Sequence, residues 1–370
     1  MLKKIVIFDS DTSYGKIAFD FFSKFSDSYK IVGLTFSSDR ALFLKQLKSS
    51  NAQYALVSNT KICKEIELDY NNSNCYFFSE ESSNNFIKSS DSDIYVFTES
   101  NISNLKNILS IIYDQKDLAL MDIDPILFSG KILRYEAKLK GINLYPITLQ
   151  TYSLNQFLKV RDIKELEKII LTTYEKKYTK EDIEEIRDQK TDFYKFKKCF
   201  YSFTKFSLVK QLYLINYLYD IPLEKFDYFT QNKNIISLIT DFSDGSNFIN
   251  TTNNDIYPVL YYYFCKDKEG FKEKNNVISG DKINLSLTRL DVLKEPFLKI
   301  GVDFLKKGGS YPIVYFLAFE ILTEKYWNNK IKFKGLLKKL EELYNDKKYY
   351  VTKPDLKTIL ALKNKLEKSL

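Results

Sequence analysis

The side chains that most often carry enzyme chemistry are sparse in this chain of 370 residues, which contains no histidine. A chain without histidine cannot form a Ser-His-Asp or Cys-His nucleophilic centre, and it cannot bind a metal through imidazole. The cysteines have no Cys-x-x-Cys spacing, which disfavours zinc and redox-active sites. They are Cys63, Cys75, Cys199 and Cys265. We expect four buried free thiols in a reducing compartment.

The charge and hydropathy of the chain exclude several classes of partner. Lysine and arginine number 56 against 48 acidic residues, for a net charge of +8. Arginine is rare among the basic residues, and because recognition of bases and phosphates relies on arginine, nucleic acid is disfavoured as a partner. The apolar run Ile5–Phe8 is too short for a signal peptide, and no segment reaches about 18 uncharged apolar residues. The sequence therefore predicts a cytoplasmic protein without membrane insertion.

Short apolar runs alternate with longer amphipathic stretches from Lys3 to about Pro146, as a parallel sheet with crossover helices requires. The predicted strands are Ile5–Phe8, Ile31–Thr35, Tyr54–Val57, Cys75–Phe78, Ile94–Thr98, Leu118–Met121 and Asn143–Pro146. Tyr14–Phe25 and Asp39–Ser49 are predicted helices, and Ser79–Asp93, rich in Ser and Asn, is a predicted loop. The pattern predicts an α/β fold with an N-terminal Rossmann-like, doubly wound domain over residues 1–150.

The remaining residues predict two further domains. Residues 151–285 mix helices with two runs typical of strands, Lys225–Phe229 and Ile235–Asp241, and predict an α+β domain. Residues 286–370 predict a C-terminal helical bundle. Its predicted helices are Phe297–Lys306, Pro312–Tyr326, Phe333–Tyr344 and Asp355–Leu370.

Three segments carry a resemblance to a known family. They are Lys116–Gln156 (KDLALMDIDPILFSGKILRYEAKLKGINLYPITLQTYSLNQ), Tyr217–Ser246 with its YLYDIP, IISL and FSDGS motifs, and Pro296–Glu320 (PFLKIGVDFLKKGGSYPIVYFLAFE). On these residues the chain resembles the 1-deoxy-D-xylulose 5-phosphate reductoisomerase family of non-mevalonate isoprenoid synthesis. The family uses NADPH and a divalent metal, and the resemblance extends in order over nearly the whole chain.

The resemblance also indicates that the metal ligands of the family have been replaced here. The family holds its metal with the Asp and Glu of an Asp-Ser-Glu motif and a Glu from a later helix. The first two positions are Thr148 and Gln150 in this chain, and the third is Gln211 or Tyr213, depending on the helix register. Because a hard divalent cation requires anionic oxygens, we expect no bound metal.

The family's catalytic positions have changed as well. Its Asn-Lys-Glu-Ser motif corresponds to DIDP, which begins at Asp122, and its Ala-Ser-Gly-Gly stretch corresponds to TYEK, which begins at Thr173. We therefore expect Ile123, Asp124 and Tyr174 to have no catalytic role. Asp122 and Asp124 are interpreted as turn residues before Pro125.

Two features of the predicted bundle match the family. They are the Gly308-Gly309 pair and Glu320. Gly308 is interpreted as the end of a helix and Glu320 as a solvated helix carboxylate.

The loop that would bind a dinucleotide retains one of the family's three glycines. The family's Gly-Ser-Thr-Gly-Ser-Ile-Gly corresponds to DSDTSYG, from Asp9 to Gly15, and Asp9 and Asp11 would place two negative charges against a pyrophosphate. The positions where weak or vestigial cofactor binding is expected are Ser10, Thr12, Ser13, Tyr14, Gly15 and Arg40. The alternative is that these are loop and helix residues, with Asp11, Thr12 or Ser13 capping the helix and Arg40 exposed.

A retained framework with a changed site predicts a catalytically inactive homologue, a pseudoenzyme, with a binding or assembly role. The alternative is an active NADPH-dependent reductoisomerase or reductase with a rebuilt site. No cofactor is expected. The resemblance implies a homodimer formed through the middle domain, and the apolar runs Ile235–Phe242 and Val259–Phe264 are the candidate surface. A different protein partner is left open.

Overall fold

The computed structural model of the chain describes residues 2–99, 102–174, 178–190, 192–251, 255–265 and 284–370. They form two compact units. In the described chain, unit 1 comprises residues 2–99, 102–125, 132–148 and 256–265, and unit 2 comprises the others. The predicted boundary near residue 150 lies beside the division after Thr148, but residues of the predicted α+β and bundle domains share unit 2. The division into three domains stays a prediction.

Unit 1 is built on a parallel sheet of seven strands. They are β1 (Lys3–Phe8), β2 (Tyr29–Phe36), β3 (Tyr54–Val57), β4 (Tyr76–Phe78), β5 (Ile94–Phe97), β6 (Asp117–Leu120) and β7 (Leu144–Pro146). The strand order is β4-β3-β2-β1-β5-β6-β7, and Ile5 of β1 pairs with Ile31 on one side and Ile94 on the other. The order extends outward from β1 in both directions, which is the doubly wound topology. Each predicted strand is found within two residues of its predicted bounds.

The first seven helices follow these strands along the chain. They are α1 (Ser13–Lys24), α2 (Arg40–Ser50), α3 (Thr60–Tyr70), α4 (Ser83–Ser90), α5 (Leu105–Tyr113), α6 (Asp124–Ser129) and α7 (Ile132–Lys140). The prediction of a loop over Ser79–Asp93 is wrong, because this segment contains α4. Phe86 and Ile87 of α4 are buried, and Phe86 packs edge-on against Phe8 of β1. Burial of this apolar face outweighs the weak helix propensity of the Ser and Asn residues.

Unit 2 contains a mixed five-stranded sheet. Its strands are β8 (Leu166–Tyr174), β9 (Phe226–Gln231), β10 (Ile236–Phe242), β11 (Asn247–Thr251) and β12 (Leu287–Arg289), in the order β11-β10-β8-β9-β12. β8 and β9 are parallel, and the other neighbours are antiparallel. The predicted runs Lys225–Phe229 and Ile235–Asp241 correspond to β9 and β10. β8, β11 and β12 are strands that the sequence pattern did not predict.

The remaining helices are numbered along the chain. They are α8 (Leu149–Phe157), α9 (Lys180–Asp188), α10 (Phe193–Phe203), α11 (Phe206–Tyr219), α12 (Tyr257–Phe264), α13 (Pro296–Lys307), α14 (Tyr311–Trp327), α15 (Phe333–Asn345) and α16 (Leu356–Ser369). The four predicted C-terminal helices are confirmed as α13 to α16. The rings of Phe206 and Phe319 stack with centroids 3.8 Å apart. Aromatic side chains thus fill the contact between α11 and α14.

Both apolar runs proposed as a dimer surface are used inside the chain. Residues Ile236–Ile239 and Phe242 of β10 are buried in the unit 2 sheet. The second run belongs to α12 of unit 1, where the Phe264 ring packs edge-on against Phe22. The hydroxyl of Tyr29 donates a hydrogen bond to the Phe264 carbonyl oxygen at 2.5 Å. The buried residues of these runs are therefore not available as the candidate dimer surface.

The cysteines and the helix lengths bear on two further predictions, buried thiols and the lack of membrane insertion. All four cysteines are free and buried, as predicted. Throughout the ranges that the structure describes, no helix combines the length and the apolar character needed to cross a membrane.

The glycine pair after α13 fixes the C-terminal segment to the start of α14. Gly308 has a φ of +68° and ends α13, as predicted. Gly309 has a φ of +57°, and a Cβ atom there would lie 2.7 Å from a ring carbon of Tyr350 and from the Val351 carbonyl oxygen. The adjacent Ser310 donates its hydroxyl to the Tyr349 carbonyl oxygen at 2.6 Å. Only glycine therefore permits this close contact.

We predict that Gly309→Ala destabilises unit 2 more than Gly245→Ala does. Gly245 also has a positive φ, +82°, but a Cβ atom there meets nothing within 4 Å. The left-handed conformation should cost about 1–2 kcal/mol in both variants, and the collision in Gly309→Ala should add about 1–3 kcal/mol. Urea unfolding of the two variants and the parent protein measures both losses. Equal losses would contradict the close contact at Gly309.

Candidate functional site

The loop between β1 and α1 lies where the strand order reverses, which is the ligand-binding position of doubly wound sheets. Gly15, in the first turn of α1, packs directly on this loop. A Cβ atom at Gly15 would lie 2.5 Å from the Ser10 carbonyl carbon and even closer to the Asp9 carbonyl oxygen. The contact leaves no room for a side chain, so the retained glycine has a steric explanation within the chain itself.

Thr12 caps α1, and it is the one of the three predicted candidates that does so. Its hydroxyl oxygen accepts the N–H of Gly15 at 3.1 Å and donates to the carbonyl oxygen of Asp9 at 2.8 Å. The buried hydroxyl of Thr98, after β5, donates to the Phe8 carbonyl oxygen at 2.8 Å. An amide at the start of α1, a position suited to a phosphate, is thus satisfied by a side chain.

The other predicted loop residues divide into buried and exposed groups. The Ser10 hydroxyl donates to Gln46 Oε1 at 2.8 Å, and Gln46 Nε2 donates to the Ser10 carbonyl oxygen at 2.7 Å. Both residues are buried. Ser13 and Tyr14 are exposed at the start of α1. Gln46 was missed by the sequence reasoning, although its place on the face of α2 that contains Phe43 and Leu47 could have indicated burial.

Asp11 does not direct its charge at the start of α1. Its carboxylate accepts three successive backbone N–H groups at the end of β2: Ser37 at 2.7 Å, Ser38 at 2.5 Å and Asp39 at 2.5 Å. Asp11 is only 5% exposed. The expectation that Asp11 faces a pyrophosphate at the helix terminus is therefore corrected, because the amides beyond β2 bind its carboxylate.

Asp9 has a left-handed backbone conformation and a carboxyl group with a raised pKa. Its φ is +54°, in the left-handed region, and its N–H donates to Thr35 Oγ1 at 2.7 Å. Burial, and then the nearby negative charges of Glu99 and Asp11, raise the pKa of the Asp9 carboxyl from 3.8 to about 7. A phosphate placed beside this carboxyl would add a further negative charge at a position that already disfavours one.

Arg40, the first residue of α2, is engaged in a surface ion-pair network. Its guanidinium lies 3.1 Å from Glu65 Oε2 and also pairs with Asp69, both on α3. The hydrogen bond to Asp69 is the main cause that raises the pKa of Arg40. Arg40, a predicted position of weak cofactor binding, therefore bridges α2 and α3 in this structure.

The changed catalytic positions form a turn and a strand end. The N–H of Asp124 donates to Asp122 Oδ1 at 3.0 Å, and Pro125 lies in the first turn of α6, where its missing N–H removes no helical hydrogen bond. Ile123 is half-buried beside them. Tyr174 ends β8 and is 39% exposed. The other two residues of this family stretch, 175 and 176, lie outside the described residues.

The positions that the resemblance implies as metal ligands carry no anionic oxygen. Thr148 is buried, and Gln150 lies half-buried at the start of α8. On α11 the Tyr213 hydroxyl donates to the Gly301 carbonyl oxygen at 2.7 Å, whereas Gln211 Oε1 is buried without a hydrogen bond. Within the described residues, no group of three or more Cys, Asp and Glu side chains could hold a metal ion.

Glu320 of α14 is not the solvated carboxylate that the sequence suggested. Its Oε2 lies 2.7 Å from the Lys197 ammonium, and its Oε1 accepts a hydrogen bond from the Tyr201 hydroxyl. Its side chain is 20% exposed. The correction follows from α10, which brings Lys197 and Tyr201 against α14 and gives the carboxylate two partners.

These observations first define a class of protein, an α/β protein whose unit 1 has a dinucleotide-binding topology. The sequence model of 1-deoxy-D-xylulose 5-phosphate reductoisomerase matches residues 5–130. A reductoisomerase of this name from Thermodesulfovibrio yellowstonii is 23% identical over 352 residues, which cover 92% of each chain. A relative from Sulfurihydrogenibium is 26% identical over 351 residues and covers 90% of this chain and 88% of its own.

The solved structures agree with the sequence comparison. The reductoisomerase of Zymomonas mobilis, determined with NADPH, has a TM-score of 0.85 at 18% identity and covers 99% of this chain and 97% of its own. A reductoisomerase determined with magnesium has a TM-score of 0.84 at 16% identity. The predicted resemblance is confirmed: residues 5–130 match the sequence model of 1-deoxy-D-xylulose 5-phosphate reductoisomerase, and the chain is similar to such enzymes over most of its length.

We predict that Asp9→Asn stabilises the protein at pH 8 but not at pH 4. The folded chain holds the Asp9 proton up to about pH 7, whereas an unfolded Asp loses it near 3.8, so stability falls as the pH rises through that window. Asn cannot ionise and tolerates a positive φ. The gain at pH 8 should be about 2–4 kcal/mol by linkage.

Urea unfolding between pH 4 and pH 8 measures this gain. Asp20→Asn, at an exposed position of α1, is the matched control and should follow the parent protein at every pH. Parallel stability profiles for Asp9→Asn and the parent would contradict the burial of an ionisable Asp9.

Proposed function

We propose that this protein is a catalytically inactive homologue of 1-deoxy-D-xylulose 5-phosphate reductoisomerase that acts in the cytoplasm by binding or assembly. The observation that carries the proposal is that the positions expected to hold cofactor and metal are neutral or used within the chain. Asp11 accepts three backbone amides, and Thr12 caps α1. A protein that retains the fold with these substitutions can still present surfaces to a partner.

The residues present do not fit an NADPH dinucleotide. Close approach of a pyrophosphate to a loop requires backbone without side chains and free amides at the helix terminus. Here Asp9 and Asp11 stand in the loop, and the amide of Gly15 already donates to Thr12. A carboxylate in this loop would oppose a phosphate placed a few Å away by about 1–4 kcal/mol.

The residues present do not fit a divalent metal either. Mg²⁺ and Mn²⁺ require oxygen ligands with negative charge to offset the loss of their hydration shell. The three positions implied by the resemblance are Thr148, Gln150 and either Gln211 or Tyr213. All three side chains are neutral, so a cation would remain in water.

We predict that the purified protein shows no metal-dependent oxidation of NADPH with 1-deoxy-D-xylulose 5-phosphate. Loss of a catalytic group commonly lowers kcat by orders of magnitude, and several are replaced here. Absorbance at the NADPH band, with Mg²⁺ or Mn²⁺ and with an active reductoisomerase assayed in parallel, measures the rate.

Turnover above the background of a mock preparation, abolished by a chelator, would overturn the proposal and favour an active enzyme with a rebuilt site. Turnover that a chelator leaves unchanged would indicate a different reductase activity, and it would overturn the proposal as well.

We also propose that the chain forms a homodimer through the sheet of unit 2. The resemblance supports this assembly, and the edge strand β11 presents Ile249 with 54% of its surface exposed. An exposed edge strand with an apolar residue is a natural site for pairing with a second copy.

We predict a mass of twice the 43.6-kDa chain in light scattering at micromolar concentration. Ile249→Lys should shift the protein towards the monomer, because the ammonium group would be buried in the contact. Leu68→Lys, at a position of α3 that is 77% exposed, is the matched control and should leave the mass unchanged. A parent protein of one chain mass would exclude the dimer, and a dimeric Ile249→Lys would exclude this interface.

A further inference from the structure

The amides at the end of β2 form a site for an anion, and a side chain of the same protein fills it. Ser37, Ser38 and Asp39 are consecutive, and their three N–H groups converge on one carboxylate, that of Asp11. α2 begins at the next residue, Arg40. Successive amides that point to one place, next to a helix N-terminus, are the arrangement by which backbone binds phosphate and carboxylate groups.

The place of these amides in the fold indicates which part of a ligand they would contact. In a doubly wound fold the segment that follows the second strand contacts the adenosine ribose of a dinucleotide or its 2′-phosphate. Ser37–Asp39 follow β2, which is the neighbour of β1 in the sheet. The Asp11 carboxylate therefore takes the amides that would be nearest to the adenosine end of such a ligand.

We infer that Asp11 is an internal anion that excludes phosphorylated dinucleotides from unit 1. The inference rests on the proposed function and adds a named residue to it. If the loop had only lost its glycines, it would bind a dinucleotide weakly, because it would make fewer contacts with the ligand. A loop that contains Asp11 also opposes the ligand with a charge, and the ligand must displace three charge-assisted hydrogen bonds to reach the amides.

The neighbouring charges agree with this role for Asp11. Arg40 follows the three amides directly, but its guanidinium pairs with Glu65 and Asp69. Burial, and then the negative charges of Glu99 and Asp11, raise the pKa of the Asp9 carboxyl, so Asp11 already disfavours a second negative charge close to it. Removal of the Asp11 carboxylate should therefore empty the amide site and also lower the negative charge around it.

The test compares Asp11→Ala with the parent protein in three titrations: NADPH, NADH and inorganic sulfate. We expect the dissociation constant of NADPH to fall at least tenfold in Asp11→Ala. The dissociation constant of NADH should fall by less than threefold, because NADH lacks the 2′-phosphate. Sulfate at millimolar concentration should raise the melting temperature of Asp11→Ala and leave that of the parent unchanged. Calorimetry and thermal unfolding provide these readouts without any activity assay.

Asp192→Ala is the matched control. The Asp192 carboxylate also accepts backbone amides, those of Tyr194 and Lys195, but at the start of α10 in unit 2. Its removal should change neither NADPH affinity nor the response to sulfate. If Asp11→Ala does not fold, Asp11→Ser keeps one hydroxyl acceptor for the amides and gives the same comparison.

Two results would overturn the inference. One is a folded Asp11 variant whose NADPH affinity stays within twofold of the parent's and whose melting temperature does not respond to sulfate. The other is a parent protein that already binds NADPH with a submicromolar dissociation constant. Failure of the proposed function has a different signature, since it is decided by turnover of the parent protein and not by the affinity of an Asp11 variant.

Discussion

The close approach of α1 to the loop after β1 is the constraint on which the organisation of unit 1 depends. Any Cβ atom at Gly15 would collide with the Asp9 carbonyl oxygen, so only glycine allows the helix to start there. The loop must then turn sharply, and Asp9 adopts a left-handed φ of +54°. A loop this tight leaves backbone amides and carbonyl groups that require partners. Thr12 and Thr98 supply hydroxyl groups to these atoms, and Asp11 supplies a carboxylate to the amides beyond β2.

In unit 2, aromatic side chains supply hydrogen-bond partners to backbone carbonyl groups. Tyr213 and Tyr315 are fully buried, and each donates its hydroxyl to a carbonyl oxygen of α13, that of Gly301 at 2.7 Å and that of Phe297 at 2.9 Å. Burial raises the pKa of both tyrosines well above 10, so their hydroxyl groups remain donors at any physiological pH. These bonds connect α11 and α14 to α13, because an unpaired buried hydroxyl would be costly. The aromatic residues therefore act as packing and as hydrogen-bond donors in the same place.

Arg40 and Glu320 both form ion pairs within the chain. Arg40 bridges to α3 through Glu65 and Asp69, and Glu320 joins α14 to Lys197 of α10. Such pairs contribute modestly to stability when they are partly exposed, but they occupy the groups that a ligand would need. The likeness to the reductoisomerases is visible in the course of the backbone.

The sequence by itself determined the strand pattern of unit 1, because alternating apolar runs and amphipathic stretches are local properties of the chain. The seven strands of this unit are found within two residues of their predicted bounds. The sequence also determined what chemistry is excluded, since a chain without histidine lacks imidazole in any fold. Local patterns could not predict α4, whose Ser and Asn residues disfavour a helix until the sheet buries Phe86. Nor could they show that Asp11 binds amides 26 to 28 residues away, or that Glu320 pairs with Lys197 at a separation of 123 residues. Those contacts depend on how strands and helices pack, so only the tertiary structure decided them.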